Sequence, residues 1–416
     1  ELQKATGLSK TALANHLTQM VDASIIHRIH RGSYELSDNG KLLLTSLAKV
    51  YFQSEQYQQR QRELLEAQYV RFRRFGDIMT KKEKRVSKVG IYQPHGLSYS
   101  AAISGTLQAI GEKWDVDDIT AFSGYGFLIN TSREIICASG PTAIAAWKTI
   151  QDATEKLGWK IKHYIDHEGF PSSPDPSQPL DKRDEKRARK VFEIVKNAID
   201  VYDRPVVIWG IPVPEYGIVN GYQEDHYLVS TFRTLLNQEE TPIAYNKIQA
   251  PGAMEVLIFE KKVSSPTDED YRESLVRGLH LAKGEGVSMG GYASGLEAYD
   301  ILQRQLIEIP ENKIDPFSFG YLVDCYLCGK DSVHNYLKKL SERYADDNFE
   351  QDLIKATETY SQILQRYKVL QDRFPLFGEQ DLSFENRQTC ANLLSEIKEL
   401  EKQAISDLEQ CLENWK

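Results

Sequence analysis

The sequence predicts a multidomain protein in which a small N-terminal module is followed by an α+β domain and then by an all-α domain. Three observations lead to this prediction. The chain has 416 residues, more than one ordinary domain holds. Strand-like apolar runs alternate with helical patterns up to residue 265, and only helical patterns follow. The first 90 residues hold 16 Lys and Arg against nine Asp and Glu, whereas the whole chain has a net charge of −9.

The first 50 residues have the pattern of a short helix, a turn, a second helix and a hairpin. Ser9 is a favourable N-cap for a helix over residues 10–21. Two short strands are predicted on either side of a basic turn at Arg31, and a further helix is predicted from Ser37. The chain begins at Glu1 and leaves no room for an earlier helix, so we expect a trimmed N-terminus.

This order resembles the winged helix-turn-helix of ArsR/MarR-type transcriptional regulators over residues 1–50. GLSKTALANHL is similar to their turn and recognition helix, and HRIHRGSYELS is similar to their wing. The resemblance implies binding to double-stranded DNA, since such a helix reads base edges and a cationic hairpin reaches phosphates. The expected DNA contacts are Ser9, Lys10, Thr11, Asn15, His16, Gln19, Arg28, His30 and Arg31. The alternative is a winged helix that contacts another protein.

The remaining chain is predicted in three parts. Residues 51–85 form a connecting helix and a basic linker, which either contacts the DNA backbone or is a solvated helix. Residues 86–265 form the α+β domain, and residues 266–416 form the helical domain. Strands are predicted at 89–92, 122–130, 159–164, 205–211, 216–222, 227–231 and 256–260, with none after Asp268. The predicted C-terminal helices are 268–283, 295–308, 318–327, 331–345, 349–374 and 383–415.

Two motifs of the α+β domain resemble papain-like folds. HGLSYSAAISGTLQAIG is similar to the loop-to-helix step that carries the catalytic cysteine of these folds, and GIVNGYQEDHYLVS is similar to the strands that follow their catalytic histidine. With YRESLVRGLHLAKGEGVSMGGYASGLEAYD, the region 86–415 resembles the family of butirosin biosynthesis protein H. That resemblance implies a papain-like half followed by a helical half.

The same resemblance implies acyl transfer, which needs a thiolate and an imidazole, but the matching positions are Ser98 and Glu215. Serine is a poor nucleophile without a nearby base, so we expect a degenerate site with no catalytic residues. His95 and His226 are alternative bases. With one of them in place, the chain would be an acyltransferase or amidohydrolase that uses Ser98.

A degenerate active site leaves a pocket, which we expect to bind a small molecule. The predicted lining is Ser98, Tyr99, Tyr125, Phe127, Trp209, Glu215, Tyr216, Tyr222 and Tyr292. Glu215 would anchor a cationic group, which suggests amine-bearing metabolites or antibiotics. For each aromatic residue, the alternative interpretation is ordinary core packing.

No metal or cofactor is expected. Cys325 and Cys328 form a CxxC without a second pair, and the glycine-rich segment 284–291 lacks a P-loop lysine. The segment 166–168, Asp-His-Glu, is more typical of a solvated loop than of a metal site.

The prediction is therefore a one-component transcriptional regulator, a homodimer that binds a DNA operator and senses a small-molecule effector. The alternatives are the Ser98 enzyme and an interaction scaffold without a ligand. No run of 18 apolar residues predicts a membrane span, and the N-terminus has no signal-peptide pattern. Five scattered cysteines favour a reducing, cytoplasmic location.

Overall fold

The computed structural model describes residues 9–30, 33–43, 82–171 and 180–415. Contacts divide the chain into two compact units, residues 1–81 and residues 82–416. The predicted basic turn at Arg31 and the predicted connecting helix over 51–81 lie outside the described residues.

The first unit contains helix α1 (Lys10–Asp22) and the antiparallel strands β1 (Ile26–His30) and β2 (Ser33–Leu36). The Ser9 side chain accepts a hydrogen bond from the backbone N–H of Ala12 at 3.2 Å, which confirms the predicted N-cap. Ser37 follows β2, and its hydroxyl donates to the carbonyl of Ser24 at 2.5 Å. This bond ties the start of the next helical residues, 38–43, to the end of α1.

The described strands of the second unit are β3 (Glu83–Arg85), β4 (Asn130–Ser132), β5 (Trp159–Asp166), β6 (Val206–Trp209), β7 (Tyr216–Gln223), β8 (His226–Ser230), β9 (Ile243–Ala244), β10 (Met254–Lys262) and β11 (Tyr292–Ser294). Most of them form one antiparallel sheet with the strand order β5-β10-β6-β7-β8-β9, in which β3 pairs with the end of β7. A separate pair joins β4 to β11. Residues 83–85, predicted as part of the linker, therefore belong to the sheet.

Helices contact the sheet and then continue as a C-terminal helical region. The helices next to the strands are α2 (Ser98–Ala109), α3 (Val116–Phe122), α4 (Trp147–Glu155) and α5 (Lys182–Tyr202). The C-terminal helices are α6 (Asp268–Lys283), α7 (Leu296–Glu308), α8 (Pro316–Arg343), α9 (Glu350–Arg373) and α10 (Phe384–Asn414). Thus an α+β arrangement followed by a helical region is confirmed.

One hydrophobic core runs through both parts of the second unit. Lys330 of α8 shows how they are joined. Its ammonium group is fully buried, pairs with Glu401 of α10 at 2.7 Å and donates to the carbonyl of Phe127 at 2.9 Å. A buried ammonium group needs such partners to offset its lost hydration, so the packing of α8 depends both on α10 and on the segment that carries Phe127.

Several local predictions were wrong. Residues 89–92 form no strand, and the segment 122–130 contains the end of α3 and a short 3-10 helix at Tyr125–Phe127. Strand β11 lies after Asp268, where only helices were expected. Helix α8 is continuous, although two helices were predicted there. Its Gly329 is buried against Gly126, so tertiary packing overrides the low helix propensity of glycine.

No helix among the described residues is long and apolar enough to cross a membrane.

Candidate functional site

The structure brings Ser98 and Glu215 to the same place. Ser98 is the first residue of α2 and is only 6% exposed. Its hydroxyl oxygen accepts a hydrogen bond from the backbone N–H of Tyr216 at 3.1 Å, across 118 residues of sequence. Glu215 immediately precedes Tyr216 and lies in the loop that leads into β7. The start of α2 and the start of β7 therefore form one site.

Glu215 has an unusual environment for a carboxyl group. Its Oε1 accepts a hydrogen bond from the hydroxyl of Tyr321 on α8. Its Oε2 is buried and has no hydrogen-bond partner among the described residues. Burial raises the pKa of the Glu215 carboxyl, while the Ser98 and Tyr321 hydroxyls favour the charged form and partly offset the shift. The site thus holds a buried carboxyl group with one oxygen that makes no hydrogen bond to the described residues.

Five aromatic side chains, called here the aromatic cluster, pack beside this pair: Tyr99, Tyr125, Trp147, Trp209 and Tyr216. Tyr216 is at the centre, with ring centroids 5.2 Å from Tyr99 and 5.0 Å from Trp209. Trp147 lies 5.3 Å from Tyr125 and 6.0 Å from Tyr216, and it is the half-buried member. The rings meet at tilted or edge-on angles, which is the favourable geometry for aromatic packing.

A second carboxylate lies on the other side of Tyr216. The Tyr216 hydroxyl donates to Glu255 Oε2 at 2.6 Å, and Gln151 donates to Glu255 Oε1 at 2.5 Å. His163 Nδ1 is 3.3 Å from the same Oε1. Burial first, and Glu255 next, raise the pKa of the Tyr216 hydroxyl well above its ordinary value, so this hydroxyl stays a donor. Tyr216 is therefore held by its backbone to Ser98 and by its side chain to Glu255.

Three residues predicted to line the pocket lie elsewhere. Phe127 packs against Tyr360 of α9, with centroids 6.0 Å apart. Tyr222 donates to Asp200 at 2.9 Å near the far end of β7, and the Tyr292 hydroxyl is 2.7 Å from Ser139. All three have partners that explain their positions without a ligand.

Trp147, Tyr321 and Glu255 were not predicted for this site. They come from α4, α8 and β10, and nothing in their local sequence connects them with Ser98 or Glu215. The aromatic richness of the chain was the only available signal for Trp147, and it does not distinguish one tryptophan from another. Such contacts are decided by tertiary packing.

Neither candidate histidine is placed to act as a base for Ser98. His95 Nδ1 accepts from the backbone N–H of Leu97 at 3.0 Å, which leaves Nε2 to donate to Ser332 at 3.0 Å. Burial lowers the pKa of His95 to about 4, so the ring is neutral near pH 7. His226 pairs with Gln223 at the opposite end of β7, about 23 Å along the strand from Tyr216.

Cys325 of α8 is near the site but is not poised as a nucleophile. Its thiol donates to the carbonyl of Gly96 at 3.2 Å, two residues before Ser98. Burial raises the pKa of this thiol well above its usual range, and the nearby Glu215 adds to the shift. Since the thiolate is the reactive form of a cysteine, this raised pKa disfavours Cys325 as a nucleophile.

The described residues contain no group of three or more His, Cys, Asp or Glu side chains arranged to hold a metal ion. Asp166 and Glu168 form ion pairs with Arg187 and Arg183. These ion pairs give both carboxylates cationic partners, Asp166 at the end of β5 and Glu168 in the turn that follows it.

In the first unit, the residues predicted to contact DNA lie on exposed surface where they are described. The Ser9 hydroxyl is engaged in the helix cap, and Arg31 lies outside the described residues. The exposed members are Lys10, Thr11, Asn15, His16 and Gln19 on α1, with Arg28 and His30 on β1. Helix and hairpin therefore both offer polar side chains to solvent.

No protein-family model matches this chain, and no curated protein matches it significantly.

Proposed function

We propose that this protein is a one-component transcriptional regulator, in which a winged helix-turn-helix over residues 1–50 binds a DNA operator. A papain-like domain without its catalytic pair, braced by the helical region, senses a small molecule. Two copies of the chain read two half-sites, and ligand binding changes their spacing.

The DNA-binding part of the proposal is supported by the exposed polar face of α1 and by the hairpin that follows it. Lys10, Asn15 and Gln19 are long or amide-bearing side chains suited to phosphates and base edges. Arg28 adds a cation on β1. The basic composition of residues 1–90 points to the same type of partner.

The sensor part is supported by the placement of the two candidate histidines, neither of which can act as a base for Ser98. Neither nitrogen of the buried His95 is free, and His226 lies at the far end of β7. Ser98 therefore has a carboxyl group beside it and no imidazole, so the acyl transfer of a Cys–His pair is not supported.

The observation that carries the proposal is the buried, unpartnered Oε2 of Glu215 beside the aromatic cluster. A carboxylate with a free acceptor and aromatic faces nearby suits an ammonium group, through charge-assisted hydrogen bonding and cation–π attraction. We therefore infer an amine-bearing effector. Trp147, as the half-buried ring, is the side chain such an effector would meet first.

The test begins with the full chain and a panel of aminoglycosides and simple primary amines in thermal unfolding. A ligand at about 100 times its dissociation constant is expected to add about 2.7 kcal/mol of stability. Glu215→Gln should lose this response, and the exposed control Glu239→Gln should keep it. A panel in which Glu215→Gln responds like the wild type would overturn the assignment of the anchor.

DNA binding is tested separately by selecting duplexes from a random pool with the same chain. An effector found in the thermal panel should change the affinity for the selected duplex, and Ser98→Ala should leave duplex binding intact. Failure to select any duplex would contradict the proposal that the protein is a transcriptional regulator. Turnover of an acyl or amide substrate that disappears in Ser98→Ala would instead establish the enzyme.

A further inference from the structure

A cavity lies beside the loop that carries Glu215 but is lined by neither Ser98 nor Glu215. It has a volume of about 790 Å³, within the range of small-molecule sites. Its walls come from the loop before β7, the 3-10 turn after β8 and the region of β9. The principal lining residues are Pro212, Phe232, Arg233, Pro242, Ile243 and Lys247. We call it the cationic groove.

Charge distinguishes this groove from the rest of the second unit. Residues 82–416 hold 39 Lys and Arg against 52 Asp and Glu, so acidic groups prevail on this unit. The cationic groove is nevertheless lined by Arg233 and Lys247, both half-buried, and by no carboxylate among the described residues. A cavity that Arg233 lines and that no described carboxylate lines, on an acidic body, favours an anionic ligand.

The guanidinium of Arg233 is available for such a ligand. One of its nitrogens donates to the Thr241 hydroxyl at 2.9 Å, and Arg233 forms no ion pair with any of the described residues. The acidic neighbour Glu240 accepts hydrogen bonds from the backbone and side chain of Thr231 and forms no ion pair with Arg233. Arginine can bind a carboxylate through two parallel N–H donors, which gives both affinity and orientation.

Much of the remaining lining of the groove is apolar, although Gln238, Thr241 and Gln249 also contribute. The larger apolar members, called here the Phe232 wall, are Phe232, Pro242, Ile243, Pro212 and Val213. A free inorganic anion would leave this wall in water, whereas an aliphatic chain would cover it. We propose that the cationic groove binds a small amphipathic carboxylate, with its charged end at Arg233 and its hydrocarbon on the Phe232 wall.

This site is separate from the effector site of the proposed function, so each can fail alone. Its test is a calorimetric titration of the full chain with hexanoate, with acetate and hexylamine in parallel. Hexanoate should bind, acetate should bind more weakly because it lacks the hydrocarbon, and hexylamine should not compete for the groove. Arg233→Gln should weaken hexanoate binding by about tenfold or more, because a charge-assisted hydrogen bond is lost.

Lys313→Gln is the matched control, since it removes one positive charge from an exposed position outside the groove. It should bind hexanoate like the wild type. Arg233→Lys keeps the positive charge but lacks the paired donors. Its affinity for hexanoate should fall between those of the wild type and Arg233→Gln. An intermediate affinity of this kind would show that a fold defect does not cause the loss in Arg233→Gln. Equal hexanoate affinity in Arg233→Gln and wild type, or no heat with hexanoate, overturns the proposal.

Discussion

At the scale of single residues, the second unit contains buried polar groups whose surroundings shift their pKa values. Glu215 is buried with one unpartnered oxygen, and His95 is buried with both ring nitrogens in use. The two shifts have different consequences. Burial is the main cause of both shifts: it raises the pKa of Glu215 and lowers that of His95, because it disfavours the charged form of each group.

Glu215→Gln should therefore stabilise the fold at neutral pH. Because the pKa of Glu215 is raised in the folded state, its protonated form is favoured there, and stability is lost as pH rises through the unfolded value towards the folded one. Removing the charge should recover about 1–3 kcal/mol, the usual cost of a buried unpaired polar group. Urea unfolding at pH 4 and pH 8 measures this, with the gain confined to pH 8. A gain at both values would contradict the titration.

For His95 we expect the opposite pH dependence, with stability lost in acid. Its pKa is about 4 in the folded protein against an ordinary 6.5, so its contribution to stability is complete above pH 6.5 and is lost as pH falls towards 4. The loss amounts to about 3 kcal/mol. His95→Gln should be less stable than wild type at pH 7, and the two should converge by pH 4. Denaturant unfolding across this range tests it, and parallel curves for the two proteins would contradict it.

At the scale of elements, helix α2 positions Ser98 by packing closely against the segment 89–92 and against β7. Gly105 lies on its inner face, where a Cβ would overlap the carbonyl oxygen of Ile91 and press on Ile218 of β7. Glycine usually weakens a helix relative to alanine, by about 1 kcal/mol. Here the absent side chain lets the segment before α2 lie against the helix.

Gly105→Ala should accordingly destabilise the protein, although alanine is the better helix former. The overlap is with backbone, which cannot move aside without displacing the segment 89–92. We expect a loss of about 1–3 kcal/mol in chemical unfolding. Gln108→Ala, on the more exposed face of the same helix, should change stability by less than about 1 kcal/mol. A stabilised Gly105→Ala would show that the close approach does not hold.

At the scale of the whole molecule, basic charge is concentrated before residue 90 and acidic charge after it. Residues 1–90 carry a net charge of +7 and the remaining 326 residues carry −16. An anionic polymer is therefore attracted to the first part of the chain and repelled by the rest.

If the first unit binds DNA as proposed, affinity should fall steeply with salt. Lys10→Gln and Arg28→Gln should each weaken binding to any duplex and reduce the slope of log affinity against log salt by about 1. Fluorescence anisotropy from about 50 to 200 mM salt measures the slope. Lys313→Gln, in the acidic part of the chain, should leave the slope unchanged. An equal change of the salt slope in all three variants would indicate that DNA binds elsewhere on the protein.

Elements with strong local signals could be predicted from sequence alone. Helix α6 has its predicted bounds, because Thr267 and Asp270 form a capping box at one end and Gly284 terminates the other. The hairpin of β7 and β8 and the cap of α1 follow equally local rules. In each case the interactions that decide the structure lie within a few residues of one another.

Tertiary structure decided the remainder. The continuity of α8 through Gly329, the pairing of β11 with β4 and the loop at 89–92 all depend on partners far away in sequence. The proximity of Ser98 and Glu215 was suggested by a resemblance and by nothing in either residue's surroundings. Caps, turns and hydrophobic periodicity reflect interactions between residues that are close in sequence, so the sequence shows them directly. The partner of a buried group such as Glu215 is chosen by the packing of whole elements, which only the folded chain defines.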